Sequence, residues 1–294
     1  MERRTFLKLL FSGMLTPIGL VGEEKPVEKS RKRDANKVVI LSDLHVGVKS
    51  GQWQRDGLAG RVSSILMMHP LPGNVLILGD LAYSQGDEED YRLLKEMLSP
   101  LDAAGIPWHP MMGNHDSREA FFSVFEERQK KNTLVPGRLV TIVKTPRSDF
   151  ILLDSLKDGK VSGEINTAQR SWLKSHLAKR TKPAFICAHH SLYDTKLLTL
   201  MEQYPCVAGY FHGHLHNWRS TQSKKGLSII SAPSTGQWGD IGYVVVKQTV
   251  DKAIVELTMM DYYYPAPKEP PRPDWLERIR QKDGSKVIIP IGTM

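Results

Sequence analysis

Gly113-Asn114-His115-Asp116 puts an amide oxygen, an imidazole and a carboxylate on one short segment. Those groups offer metal ligation and proton transfer within four residues. Four other segments carry related chemistry: Asp43-Leu44-His45, Gly79-Asp80, His189-His190 and His214-Leu215-His216. Taken singly, each is weak. A D-x-H triplet arises by chance, Asp80 could cap a helix, and Asn114 could simply form the turn after Gly113. Their shared context is what carries weight. The apolar runs Val38 to Leu41, Val75 to Leu78, Trp108 to Met112, Ala184 to Ala188 and Val207 to Phe211 each end where one of these segments begins.

Those runs must be the elements that position the chemistry. Val38 to Leu41 is short and β-branched, which favours a buried strand over a helix. Leu58 to Met68 carries apolar residues at helical spacing and is stopped by His69-Pro70 and Pro72-Gly73. A strand at 75–78, a helix over 91–101, a strand at 107–112 and a helix over 119–131 follow. The steps from Asp43 to Asp80 and from Asp80 to Asn114 are 37 and 34 residues, one β-α-β unit each. Beyond residue 138, Leu139 to Val143 and Phe150 to Leu153 read as an antiparallel pair. Thr167 is the candidate cap of a helix to about Lys179. Strands at 184–188, 207–211, 227–231, 242–248 and 253–260 suggest a second, more antiparallel sheet. The expected fold class is α/β: a four-layer α/β/β/α sandwich of two mixed sheets flanked by helices.

Ligands at the carboxyl ends of parallel strands occupy the usual place of an α/β active site. At a strand end, residues i and i+2 share a face, so Asp43 and His45 can reach one metal, and so can His214 and His216. Asp80 lies on the central strand of the first three. If two cations sit about 3.5–4 Å apart, it is the best bridging candidate. One of His189 and His190 should ligate, and alternation favours His189. His212 reads as packing. Mixed nitrogen and oxygen ligation suits Fe, Mn, Zn or Co rather than Ca or Mg. No thiolate lies in register, which argues against a structural cysteine-zinc site.

The ordered set D-x-H, G-D, G-N-H-D, H and G-H-x-H, from Asp43 to His216, resembles the calcineurin-like metallophosphoesterase superfamily. The resemblance implies two divalent or trivalent transition-metal ions, Fe, Mn or Zn. Asp43, His45 and His216 would hold one, Asn114, His189 and His214 the other, and Asp80 would bridge. It also implies hydrolysis of a small phosphorylated substrate, a phosphate mono- or diester, by a metal-bridging hydroxide. His115 would protonate the leaving oxygen or stabilise its charge, and Asp116 would orient the His115 ring. The set is closest to the cyclic-nucleotide phosphodiesterase-like branch. Gly79-Asp80-Leu81-Ala82-Tyr83 is also similar to the G-D-x-x-Y of purple acid phosphatases, where the Tyr binds iron. His45 and Tyr83 would compete for one position, and His45 is the favoured ligand. Tyr193, Trp53 and Trp238 are candidates to touch substrate, or are packed or surface aromatics.

Two other functions share these residues: a non-catalytic binding module on the same fold, and a nuclease. Competent residues at all seven ligand positions and at His115 argue against the first. For the second, no specific nucleic-acid module and no basic, aromatic-lined groove is visible.

The 294 residues are 40% hydrophobic and 24% charged, an ordinary globular composition. Of the net +8, six positive residues fall between Lys25 and Lys37, so part of the excess belongs to a linker. Two cysteines, Cys187 and Cys206, exclude a disulfide framework. Glu2-Arg3-Arg4-Thr5-Phe6-Leu7-Lys8 and the broken apolar stretch to Gly22 resemble a bacterial twin-arginine export signal. Glu2 stands where Ser or Thr is usual, and no A-x-A cleavage site is present. The stretch is too short and broken to span a bilayer. The expected division is an export signal at 1–22, a charged linker at 23–36, the metal domain at 37–261 and a proline-rich extension at 262–294. Delivery outside the cytoplasm follows from that signal. A disordered leader on a cytoplasmic protein is the alternative.

Overall fold

A computed structural model describes residues 31–263 and 273–292 of the chain. The expected export signal, most of the linker and the segment 264–272 lie outside the described residues. In chain order the elements are β1 (Arg33–Leu41), α1 (Gln52–Leu66), β2 (Leu71–Ile77), α2 (Glu88–Ala103), β3 (Trp108–Pro110), α3 (Arg118–Val124) and α4 (Glu126–Lys131). Then come β4 (Thr141–Lys144), β5 (Asp149–Leu152), α5 (Thr167–Leu177), β6 (Ala184–Cys187), α6 (Leu192–Thr195), α7 (Leu198–Met201) and β7 (Val207–His212). The last are β8 (Arg219–Gln222), β9 (Ser228–Ser231), β10 (Gly239–Gln248), β11 (Lys252–Tyr263), α8 (Pro273–Lys282) and β12 (Lys286–Pro290).

Two six-stranded sheets result, ordered β12-β11-β10-β1-β2-β3 and β4-β5-β6-β7-β9-β8. In the first, β1, β2 and β3 run parallel, and β10 to β12 continue it antiparallel. In the second, β5, β6, β7 and β9 are parallel, with β4 and β8 antiparallel at the edges. The second sheet is therefore not the more antiparallel one. The long hairpin β10–β11 joins the first sheet because Val38, Val39 and Ile40 of β1 pair with Val246, Val245 and Val244.

The burial pattern explains the continuous apolar runs. Val38 and Ile40 of β1 pack with Phe150, Phe185 and Phe211 between the sheets. Val39 and Leu41 face the opposite way, onto Leu58 and Ile65 of α1 and Leu94 of α2. In the second sheet, Ile151 and Ile186 face Leu173 and Leu177 of α5. Strands covered on both faces must be apolar at every position. The layers are helix, sheet, sheet, helix, as expected.

Local differences have local causes. The expected helix 119–131 breaks at Phe125, whose φ and ψ are −117° and 52°, into α3 and α4. Helix α5 is capped by Asn166, whose side chain accepts from Gln169 N, and not by Thr167. Strand β1 begins at Arg33, inside the stretch read as linker, and β12 adds an edge strand to the first sheet from the C-terminal segment. Among the described residues no helix is long and apolar enough to cross a membrane.

Register brings the chemistry to one edge. Leu41 pairs with Ile77, and Ile77 with Pro110, so the loops after β1, β2 and β3 leave the first sheet side by side. Cys187 pairs with Phe211 in the second sheet. His189 Nδ1 donates to the Leu78 carbonyl at 2.7 Å and joins the two edges.

Candidate metal centre

The strand ends deliver their side chains through strained backbone. Asp43, His45, Asp80, His214 and His216 have φ of 51°, 47°, 48°, 67° and 51°. Non-glycine residues rarely occupy this left-handed region, and each costs about 1–3 kcal/mol unless its surroundings hold it there. Such strain gathers at sites that need a particular side-chain direction. It also changes the reason the paired ligands converge. Asp43 and His45 lie beyond the end of β1, and His214 and His216 beyond β7, so turn geometry and not strand alternation aims them together. Close loop packing requires glycine beside them. A Cβ on Gly213 would sit 2.0 Å from Ser42 Oγ and 2.7 Å from Asp43 Oδ2.

Asp43, His45, Asp80 and His216 bring one ligand atom each to within 4.8 Å of one another. His216 Nε2 lies 3.1 Å from Asp43 Oδ1, and His45 Nε2 lies 3.4 Å from His216 Nε2. Asp80 Oδ2 is 3.5 Å from His45 Nε2 and 3.2 Å from His189 Nε2. His189 Nε2 is in turn 3.2 Å from Asn114 Oδ1, and the His214 ring stands 5.2 Å from the His189 ring. The expected ligands thus lie in two adjoining groups, Asp43, His45, Asp80 and His216 in one and His189 and His214 in the other, with His189 in contact with both Asp80 and Asn114.

The donor set fits metal ions. The carboxyl groups of Asp43 and Asp80 are buried, and their ion-pair partners are imidazoles. Two of the imidazoles are aimed by their other nitrogens: His189 Nδ1 donates to the Leu78 carbonyl and His216 Nδ1 to the Trp238 carbonyl, while the buried Nδ1 of His45 has no hydrogen-bond partner. A proton on Nδ1 leaves the Nε2 lone pair pointing inward, the arrangement of a ligating histidine. Mixed N and O donors of this kind suit first-row transition ions.

The electrostatics agree. Burial alone would raise the Asp43 carboxyl, but the adjacent His216 holds it down at about 2. Asp80, equally buried, is pulled well below the ordinary carboxylate range by His189 and His45. Burial drives His45 down to about 4. His189 moves the other way: the Asp80 carboxylate overrides burial and pushes it up to about 9. Two buried anions hold positive charge in place, the role a cation fills when bound.

His190 belongs to a second group, its ligand atom within 4.8 Å of those of His189 and His214. Its Nε2 donates to the Val161 carbonyl at 3.0 Å and its Nδ1 meets Ser155 Oγ at 2.8 Å. Both nitrogens are engaged, and burial pushes the ring down to about 2, so it is held neutral as a support. His212 is buried beneath the loop, with Nδ1 on the Gly213 carbonyl.

His115 stands edge-on to His45, ring centres 4.8 Å apart. The expected bond from Asp116 to the His115 ring is replaced by another. His115 Nδ1 donates to the Ser84 carbonyl at 2.9 Å. Asp116 faces inward and accepts from Gly113 N at 2.8 Å, Leu81 N at 3.1 Å, Ala82 N at 3.1 Å and Tyr91 Oη at 3.0 Å. It stitches the loop after β2 to the loop after β3. Burial and Asp80 push its carboxyl up to about 6 despite those backbone donors.

A family model for calcineurin-like phosphoesterases matches residues 36–218, which include all five motifs. The chain belongs to the calcineurin-like phosphoesterase family. It is a metallophosphoesterase by that membership. It is 26% identical over 257 residues to a probable cyclic nucleotide phosphodiesterase of Rhodopseudomonas palustris, covering 80% of this chain and 85% of the relative. It is 26% identical over 179 residues to a probable cyclic nucleotide phosphodiesterase of Psychrobacter arcticus, covering 55% of this chain and 62% of that relative's length. A dimetal phosphatase from Danio rerio shares the fold, with TM-score 0.62 and 14% identity over 75% of this chain and 95% of that chain.

Sequence reasoning missed one part of the phosphoesterase site. Asp154, fully buried just after β5, takes Arg118 Nε and Nη2 at 2.7 and 2.8 Å. The pair ties the segment after His115 to the second sheet. The signal was available: Asp154 ends the apolar run Phe150 to Leu153, just as Asp43 and Asp80 end theirs. Beside His115 the phosphoesterase has a cleft of about 820 Å³, which also reaches Asn114, Arg118 and Arg138.

Proposed function

We propose that the protein hydrolyses phosphate esters, phosphodiesters first, at a two-metal centre. Asp43, His45 and His216 would hold one ion, and Asn114, His189 and His214 the other. Asp80 would bridge them. The observation that carries this is the position of Asp80 Oδ2, within 3.5 Å of His45 Nε2 and 3.2 Å of His189 Nε2. Two ions held there would supply Lewis-acid charge to the phosphoryl oxygens and acidify a water.

The chain's own groups supply the rest. Ser84 fixes His115 by its Nδ1–H, so Nε2 carries a proton only in the imidazolium form. In that form Nε2–H can donate to the leaving oxygen as it gains charge. Asp116 acts on the loops and not on the ring. The names of the two bacterial relatives support diesters as substrates. Export by the twin-arginine route belongs to the same proposal and rests on Arg3-Arg4 and the apolar stretch after it.

The test is chelation followed by re-addition of Mn, Fe or Zn, with bis(4-nitrophenyl) phosphate as the reporter. Hydrolysis should vanish on chelation and return with at least one metal. A preparation inert with every metal removes the reading.

A further inference from the structure

The C-terminal segment carries one helix among its described residues, and that helix reaches back to the metal cluster. On α8, Arg278 and Lys282 stand one turn apart on one face. Both converge on Asp240, the second residue of β10: Arg278 Nε donates to Oδ1 at 2.9 Å, and Lys282 Nζ donates to Oδ2. Trp218 N donates to the same Oδ2 at 2.7 Å. The Asp240 carboxylate is fully buried, whereas the two cations that meet it are partly exposed.

The backbone of Asp240 connects onward to two of the clustered ligands. Its N–H donates to the His216 carbonyl at 2.9 Å. Its carbonyl accepts from Ser234 N at 2.9 Å, and Ser234 Oγ donates to the Asp43 carbonyl at 3.0 Å. One residue earlier, a Cβ on Gly239 would fall 2.0 Å from the His216 carbonyl oxygen. The Trp238 carbonyl, next before it, takes the His216 Nδ1–H at 3.2 Å. The segment that Asp240 anchors therefore aims His216 and braces Asp43. His189 is aimed from elsewhere, by the Leu78 carbonyl.

A carboxylate held out of water needs its counter-charge, and removing its partners leaves a buried charge uncompensated. With both α8 cations gone, Asp240 must turn toward water, and its backbone bonds to the His216 and Asp43 segments turn with it. We propose that α8 is a working part of the metal centre: Arg278 and Lys282, acting through Asp240, are positioning residues for the ion that Asp43, His45 and His216 would hold. This rests on the two-metal reading above and gives the C-terminal segment a task at the site. The helix supplies no ligand. It fixes the segment that aims them.

The test is calorimetric titration of the metal-free full chain with Mn or Zn, comparing the unsubstituted protein with Arg278→Gln combined with Lys282→Gln. The double variant should lose about 10–100-fold in affinity at one of two binding events, the usual cost of removing a group that supports a ligand, and less at the other. Arg278→Lys with Lys282→Arg keeps both charges and should recover most of that loss. Lys286→Gln removes a contact of β12 with Glu256 without touching Asp240, and should bind both ions as the unsubstituted chain does. Unchanged affinity in the double variant, equal loss at both events, or a matching loss in Lys286→Gln overturns the inference. Should the double variant not fold, Arg278→Gln alone, with Lys282 still on Asp240, should show the same one-sided loss in smaller measure, and no loss there overturns it. Amide hydrogen exchange on the metal-free chain gives a reading independent of any ion. The Trp218 and Asp240 N–H groups should exchange faster in the variant while those of β6 do not change, and unaltered protection at both contradicts the link. An unsubstituted chain that binds fewer than two ions removes the two-metal reading and the inference with it. If it binds two and the variant matches it, the inference alone falls.

Discussion

The Nδ1 of His115 donates to the carbonyl of Ser84 at 2.9 Å, a backbone partner outside the histidine and aspartate cluster. His115 touches the cluster through the edge of its ring against His45 and through its backbone N–H, which donates to Asp80 Oδ1 at 2.9 Å. His115→Ala should therefore retain metal and lose about 10²–10⁴-fold in kcat, the usual range for a missing general acid. Metal content and steady-state rates on one preparation check this. Loss of metal together with rate would place His115 among the ligands.

Asp116 is predicted to act through the loops. Asp116→Ala leaves the buried N–H groups of Leu81, Ala82 and Gly113 without their acceptor. An unsatisfied buried donor costs about 1–3 kcal/mol. Thermal melts should show a fall in Tm of several degrees, with Asp116→Asn recovering part of it. A melt identical to the unsubstituted protein would deny Asp116 this role.

Gly213 is predicted to be irreplaceable for packing reasons. An added Cβ would collide with Ser42 Oγ and Asp43 Oδ2, the carboxylate that also accepts from His214 N. Gly213→Ala should fold and bind metal at least tenfold more weakly, because the strain falls on Asp43 and His214. Calorimetric titration with Mn or Zn reads it directly. Unchanged affinity would show that these loops are not closely coupled to the site.

Arg3 and Arg4 are predicted to direct export. Changing both to Lys should hold the chain in the cytoplasm of a bacterial host, as fractionation would show. Equal amounts outside the cytoplasm for both forms would contradict the twin-arginine reading.

The order and burial of the elements were legible because both sheets are covered on both faces. Runs such as Val38 to Leu41 and Ala184 to Ala188 are apolar at every position, which neither an amphipathic helix nor a half-exposed strand would be. The polar residue that ends each run was legible for the same reason. What could not be read was partnership at a distance. Nothing near β10 says that it lies beside β1, a contact made by residues some 200 positions apart. Nor does the G-N-H-D segment reveal that its Asp turns inward to Tyr91 while a backbone carbonyl, Ser84, takes the ring. A carbonyl has no signature in a sequence. The left-handed backbone at Asp43, His45, Asp80, His214 and His216 was only weakly signalled: Asp and His are enriched at positive φ, but most Asp and His in a chain lie elsewhere.

In the proposed centre Asp80 is the group shared by two ions. Elemental analysis of the full chain against Asp80→Ala, each incubated with Mn, Fe or Zn and desalted, tests it most directly. The unsubstituted chain should retain about two ions, while Asp80→Ala should retain none through desalting and hydrolyse no phosphodiester. An Asp80→Ala chain that still holds both ions and stays active would contradict the account.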